Sequence, residues 1–142
     1  LLINNTMSLT IEIHSFSYKK GGIPKDNTGN GGGFAFDCRG ILNPGRIDEY
    51  KQQTGCDVGV QNYLETVTEM PKFLELVKSI VSINIDDYIA RNFENLQINF
   101  GCTGGQHRSV YSAEKIAAFI KEKYPQTVVT LHHDEQPQLN HQ

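Results

Sequence analysis

Apolar and polar residues alternate over positions 9–16, Leu9-Thr10-Ile11-Glu12-Ile13-His14-Ser15-Phe16, which is the two-residue period of a half-buried strand. A second short strand is predicted over 34–39, Phe34-Ala35-Phe36-Asp37-Cys38-Arg39, stopped by Gly40 and then by Asn43-Pro44-Gly45. From Val60 the period changes. Val60, Leu64 and Val67, then Phe73, Leu74, Val77, Ile80 and Val81, recur at helical spacing. Pro71 interrupts them and predicts two helices or one sharp kink, with a further helical piece around 86–93. The apolar run 96–100 reads as a buried strand. Val110, Ala113, Ala117 and Ile120, widened by Ile116 and Phe119, mark a helix from near Ser109 to Tyr124-Pro125, where proline disfavours helix at the residue before it. The β-branched run Thr127-Val128-Val129-Thr130-Leu131 reads as a last strand. This order predicts an α/β fold: a small single domain with a mostly parallel or mixed sheet flanked by helices.

The remaining segments set the domain organisation. Residues 1–8 read as a flexible N-terminal segment, 9–133 as the α/β domain, and 134–142 as a polar, frayed tail. Residues 21–33 hold six glycines and Pro24 and read as a mobile loop. That loop is either a solvated connection or a lid, with Lys19, Lys20 and Lys25 as its basic edge. At 142 residues, 38% hydrophobic and 20% charged, the chain has the make-up of one ordinary soluble domain. No apolar run approaches the roughly 20 residues of a membrane span, and no secretory signal is visible, so a cytoplasmic location without membrane partners is expected. Cys38, Cys56 and Cys102 are odd in number and unclustered, with no CxxC pair and no zinc spacing. A reduced setting follows, and no metal or cofactor is expected. A net charge of −3 and a pI of about 5.9 argue against nucleic acid as the default partner. The chain begins with Leu1 and is expected to be part of a longer one, although Met7 is an alternative start.

The chemistry concentrates in Gly101-Cys102-Thr103-Gly104-Gly105-Gln106-His107-Arg108-Ser109-Val110, between a predicted strand and a predicted helix. A glycine loop at a helix start presents backbone N–H groups to an anion, and the planar fork of Arg108 suits phosphate. His107 is a candidate donor or acid within that loop, against the alternative of a plain polar surface residue. Ser109 is a candidate helix N-cap or phosphate ligand. Cys102, five residues before Arg108-Ser109, has the spacing of the phosphatase loop of protein tyrosine phosphatases. A cysteine-dependent phosphatase would use Cys102 as nucleophile, Arg108 as phosphate holder and Asp37 as acid. The competing assignments are a small buried cysteine and an ion pair between Asp37 and Arg39, two apart on one strand side. His132 and His133 follow the last strand, where α/β folds bind ligands. If that strand neighbours the one before Cys102, these histidines lie beside the loop, where only one of them, His132 ahead of His133, serves, because adjacent strand residues point to opposite faces; the alternative is an exposed polar tail. No GxxxxGK[ST] nucleotide loop is present.

Four segments in order carry a resemblance: Ser15-Phe16-Ser17-Tyr18-Lys19 with Gly22-Ile23-Pro24; Phe36-Asp37-Cys38-Arg39 with Asn43-Pro44; Thr54-Gly55-Cys56-Asp57; and the loop 101–110. Together they resemble the C-terminal domain of the RNase adapter protein RapZ, of a nucleotide-binding family. The resemblance implies a sensor of glucosamine-6-phosphate that also contributes to RNA binding and self-association. Carried over by motif, Thr103, Gly104, His107 and Arg108 hold the phosphate, with Gly105, Gln106 and Ser109 in the same loop and Asp37 and Arg39 nearby. It also implies fusion to an N-terminal kinase-like domain, of which this chain carries nothing. The family's Lys/Arg-rich tail is replaced by residues 134–142, which argues against retained RNA binding, and His132-His133-Asp134 stands where a His-Arg-Asp-like run is usual. The expectation is therefore a non-catalytic binding domain for a small phosphorylated metabolite. A cysteine-dependent phosphatase and an RNA-binding adapter module are its alternatives.

Overall fold

The computed structural model describes residues 8–141, so the flexible segment expected at the N-terminus lies, Ser8 excepted, outside the described residues. Strands β1 (Thr10–Ser17), β2 (Gly33–Asp37), β3 (Asn95–Cys102) and β4 (Val128–His133) form one sheet in the order β2-β3-β1-β4. Every pair is parallel. The alternation seen in β1 sorts its side chains between the two faces. Register places Ile11 beside Leu96, and Ile13 beside Ile98 and Leu131, all buried on one face. Glu12, His14, Gln97 and His132 fall on the other.

The helices α1 (Val58–Val67), α2 (Met70–Ala90) and α3 (Arg108–Lys123) cover the apolar face. The steps β2 to β3 and β3 to β4 cross the sheet in the same direction, so right-handed connections put all three helices on one side. The step from β1 to β2 runs the opposite way. Residues 18–32 accordingly cross the polar face, where Gln97 Nε2 donates to the Lys25 carbonyl at 3.4 Å. The core between sheet and helices includes Ile13, Ile98, Phe100, Leu64, Ile116 and Ile120, each fully buried. Burying such a side chain contributes roughly 1.5–3 kcal/mol of transfer free energy.

Pro71 separates two helices rather than kinking one. The Thr68 hydroxyl returns to the Leu64 carbonyl at 2.6 Å, and Pro71 stands in the first turn of α2, where its missing N–H costs no helical bond. The piece expected around 86–93 is the end of α2, which runs unbroken to Ala90 and is closed by Asn92 at φ 64°. α3 starts one residue before Ser109 and stops before Pro125, as the pattern predicts.

Two irregular segments are more ordered than their composition suggests. In the glycine-rich stretch the Asp26 carboxylate accepts from the Thr28 hydroxyl and from the N–H groups of Thr28, Gly31 and Gly32, which drives its pKa down to about 2. Residues 26–32 border Thr10 and Asn95 at the amino ends of the strands, so they form no lid over the loop at the carboxyl ends. The tail does not fray through residue 141. Asp134 N donates to the Ser15 carbonyl at 2.9 Å, Pro137–Leu139 form a 3₁₀ turn, and His141 makes an antiparallel bridge to Leu131. Among the described residues no helix is long and apolar enough to cross a membrane.

Candidate functional site

β3 ends at Cys102 and the chain turns through residues 103–107 into α3. Gly105 adopts φ +69°, a region that costs an L side chain roughly 1–2 kcal/mol, and a Cβ there would press on Glu135. Gly104 has no such constraint. A Cβ at that position meets nothing within 4 Å and would stand in the cleft beside the loop.

That cleft has two adjoining lobes that share Asn43, Thr103 and Arg108. One, of about 310 Å³, is also bordered by Arg39, Gly40, Ile41, Leu42 and Arg46. The other, of about 240 Å³, is bordered by Gly45, Lys51, Cys102, Gly104, Gln106 and His107. Four basic residues, Arg39, Arg46, Lys51 and Arg108, thus edge one concavity in a chain of net charge −3. Positive charge focused in a cleft draws anions regardless of the overall sign.

Arg108 is the centre of this arrangement. The residue is 4% exposed, and its Nη1 donates to the carbonyls of Arg39 at 3.2 Å and Ile41 at 2.8 Å. Its Nε has no hydrogen-bond partner, and among the described residues no carboxylate pairs with the guanidinium. A buried cation left that way costs several kcal/mol unless an anion completes it.

Gln106 and His107 brace the loop. Gln106 Nε2 donates to the carbonyls of Lys51 at 2.9 Å and Gln53 at 2.7 Å, and His107 Nε2 donates to that of Tyr50 at 2.9 Å. Since a carbonyl only accepts, His107 Nε2 carries the proton. Burial lowers the His107 pKa, outweighing the opposing hydrogen bonds to the Tyr50 and Gln53 carbonyls, and Arg108 beside it adds to the lowering. The adjoining turn fits because residue 55 is glycine. Its Cβ would collide with Tyr111 N and the His107 carbonyl, and its N–H donates to the Gln106 carbonyl at 3.0 Å.

Some sequence-derived assignments change here, and for Cys102 and Asp37 the structure selects the buried cysteine and the ion pair with Arg39. Ser109 is fully buried, with its hydroxyl 3.1 Å from Cys102 Sγ. It caps nothing, because α3 begins at Arg108 and His107 occupies the N-cap position. Cys102 is only 2% exposed. Asp37 is gripped by the Arg39 fork, with Nε to Oδ1 at 2.9 Å and Nη2 to Oδ2 at 2.8 Å. The Arg39 hydrogen bond holds its carboxyl below the usual range, the wrong direction for a general acid. Asp37 therefore orients Arg39, which also lies 3.9 Å over the Tyr18 ring. His132 does not reach the loop, because β4 pairs with β1, and β1 stands between it and β3. Its ring instead stacks on His14 at 4.8 Å on the polar sheet face. There His14 bonds Asp134 at 2.7 Å and Glu12 at 2.5 Å.

Sequence reasoning missed Asn43, Arg46 and Lys51 as cleft residues. They lie on 3₁₀ turns, Pro44–Arg46 and Asp48–Tyr50, and their flanks. Asn43-Pro44 was visible as a strand stop and as part of the family resemblance, and nothing in the sequence marked Arg46 or Lys51.

The chain matches known proteins over nearly all of this structure. A family described as the RapZ C-terminal domain matches residues 9–136. A nucleotide-binding protein of Endomicrobium trichonymphae is 38% identical over 115 residues, 81% of this chain and 38% of that protein. One of Thermotoga sp. (strain RQ2) is 32% identical over 133 residues, covering 94% and 45%. One of Lactobacillus gasseri is 38% identical over 122 residues, covering 86% and 40%. The chain thus spans less than half the length of these relatives. It belongs to the RapZ C-terminal domain family.

Proposed function

We propose that this domain, binding and regulatory in kind as its family is, takes a small phosphorylated metabolite in the cleft between residues 39–51 and 102–108. The observation that carries this reading is Arg108, a buried residue whose Nε has no hydrogen-bond partner and which forms no ion pair among the described residues. Its support is the first turn of α3 and a rim holding Arg39, Arg46 and Lys51. The phosphate lies against Thr103, Gly104 and Arg108, while Gln106, His107 and Asp37 hold the surrounding groups in place. The RapZ resemblance narrows the metabolite to an amino sugar phosphate such as glucosamine-6-phosphate.

Calorimetric titration with glucosamine-6-phosphate, glucose-6-phosphate and inorganic phosphate tests this. The expected result is that all three bind, the amino sugar most tightly, and that Arg108→Ala loses all three. No binding of any of them by the unsubstituted chain overturns the reading, and equal affinity for the two sugars removes the amino group from it.

A further inference from the structure

A second cluster lies away from the cleft and shares no residue with it. Four chain segments converge: the turn before α1 brings Cys56, α3 brings Glu114, the end of β4 brings His133, and the folded-back tail brings His141. His133 Nε2 lies 2.7 Å from Glu114 Oε2. His141 Nε2 lies 3.0 Å from Oε1 and 3.1 Å from Oε2 of the same carboxylate. Cys56 Sγ, a Glu114 oxygen and a His133 nitrogen all lie within 4.8 Å of one another. We infer that these residues form a binding site for a zinc-type divalent cation.

The donor set is one thiol, two imidazoles and one carboxylate. A mixed sulfur, nitrogen and oxygen set suits zinc and its borderline-soft neighbours, whereas calcium and magnesium prefer all-oxygen surroundings. His133 is held as a metal-ligating histidine is usually held. It is fully buried, and its Nδ1 is engaged by the Ser15 hydroxyl at 2.7 Å, which leaves Nε2 aimed at the cluster. The Asn140 side chain accepts from the His133 backbone N–H at 2.6 Å and ties the tail to the same point. Cys56 is exposed, so a cation has a way in. On binding, Cys56 gives its thiol proton to solvent and the thiolate bonds the metal. The cation then links α1, α3, β4 and the tail. No linear motif announces the site, because each ligand comes from a different segment.

Equimolar Co²⁺ added to the 142-residue chain is the probe. The expected result is a thiolate-to-cobalt charge-transfer band in the near ultraviolet, with tetrahedral visible bands, displaced by Zn²⁺. Cys56→Ser, at an exposed position, loses the ultraviolet band while its melting curve shows an intact fold. His141→Gln weakens metal affinity at least about tenfold. Absence of the band in the unsubstituted chain overturns the site, as does a band that survives in Cys56→Ser, since the sulfur ligand would then be Cys38 or Cys102.

Discussion

Gly104 and Gly105 are chain neighbours with unrelated reasons to be glycine. Gly105 is required by its backbone, at φ +69°, and by the Glu135 side chain packed where a Cβ would go. Gly105→Ala is expected to lower stability by about 1–3 kcal/mol in a denaturant titration, with a smaller effect on phosphate affinity. Among the described residues nothing occupies the place of a Gly104 Cβ. Gly104→Ala is expected to leave stability within about 0.5 kcal/mol and, on the proposed binding mode, to weaken phosphate binding roughly tenfold or more in calorimetry, because the methyl would take space in the cleft. A stable Gly104→Ala variant with unchanged affinity would remove that stretch from the site. The sequence displays both glycines and the arginine, so the glycine loop between strand and helix was legible. Which of the two glycines the fold requires was not, because that depends on the position of Glu135, thirty residues away by number and adjacent only in space.

At the scale of elements, β1 and β4 are joined on the polar face by His14. Burial opposes charge on this ring, but hydrogen bonds to Asp134 and Glu12 more than offset it and raise its pKa above the ordinary 6.5. A raised folded-state pKa means the stabilisation is fully present below pH 6.5 and is lost as pH rises through the folded value. The Glu12 pKa is lowered, so its half of the cluster persists below the ordinary carboxylate value of 4.5. The stability difference between the unsubstituted chain and His14→Gln should therefore be largest in mildly acidic buffer and shrink toward alkaline pH. A pH-independent difference would mean packing alone. The strands and α3 were readable to within a residue or two because burial imposes periods of two and 3.6, whereas the unbroken run of α2 through Ala90 was not. The 41–56 segment carries no period, since 3₁₀ turns pack through single contacts. Gly55→Ala, which drives a methyl into the first turn of α3, should destabilise by about 1–3 kcal/mol in the same titration.

For the whole molecule, ligand and fold are linked by mass action. A sugar phosphate at a hundred times its dissociation constant should add about 2.7 kcal/mol of stability, or a melting temperature higher by roughly 5–10 °C, and Arg108→Ala should abolish the shift. The order β2-β3-β1-β4 has a kinetic corollary. Each strand's partner lies far along the chain: β1 pairs only with β3 and β4, and β2 waits for β3 across the whole of α1 and α2. No hairpin can form early, so folding is dominated by late, long-range closure and should be slow for a domain of this size. On a ribosome, both walls of the cleft stay apart until β3 emerges, because β3 is the strand that brings residues 39–51 against the loop that follows it. The pocket can therefore exist only in a nascent chain whose sheet has already closed around its middle.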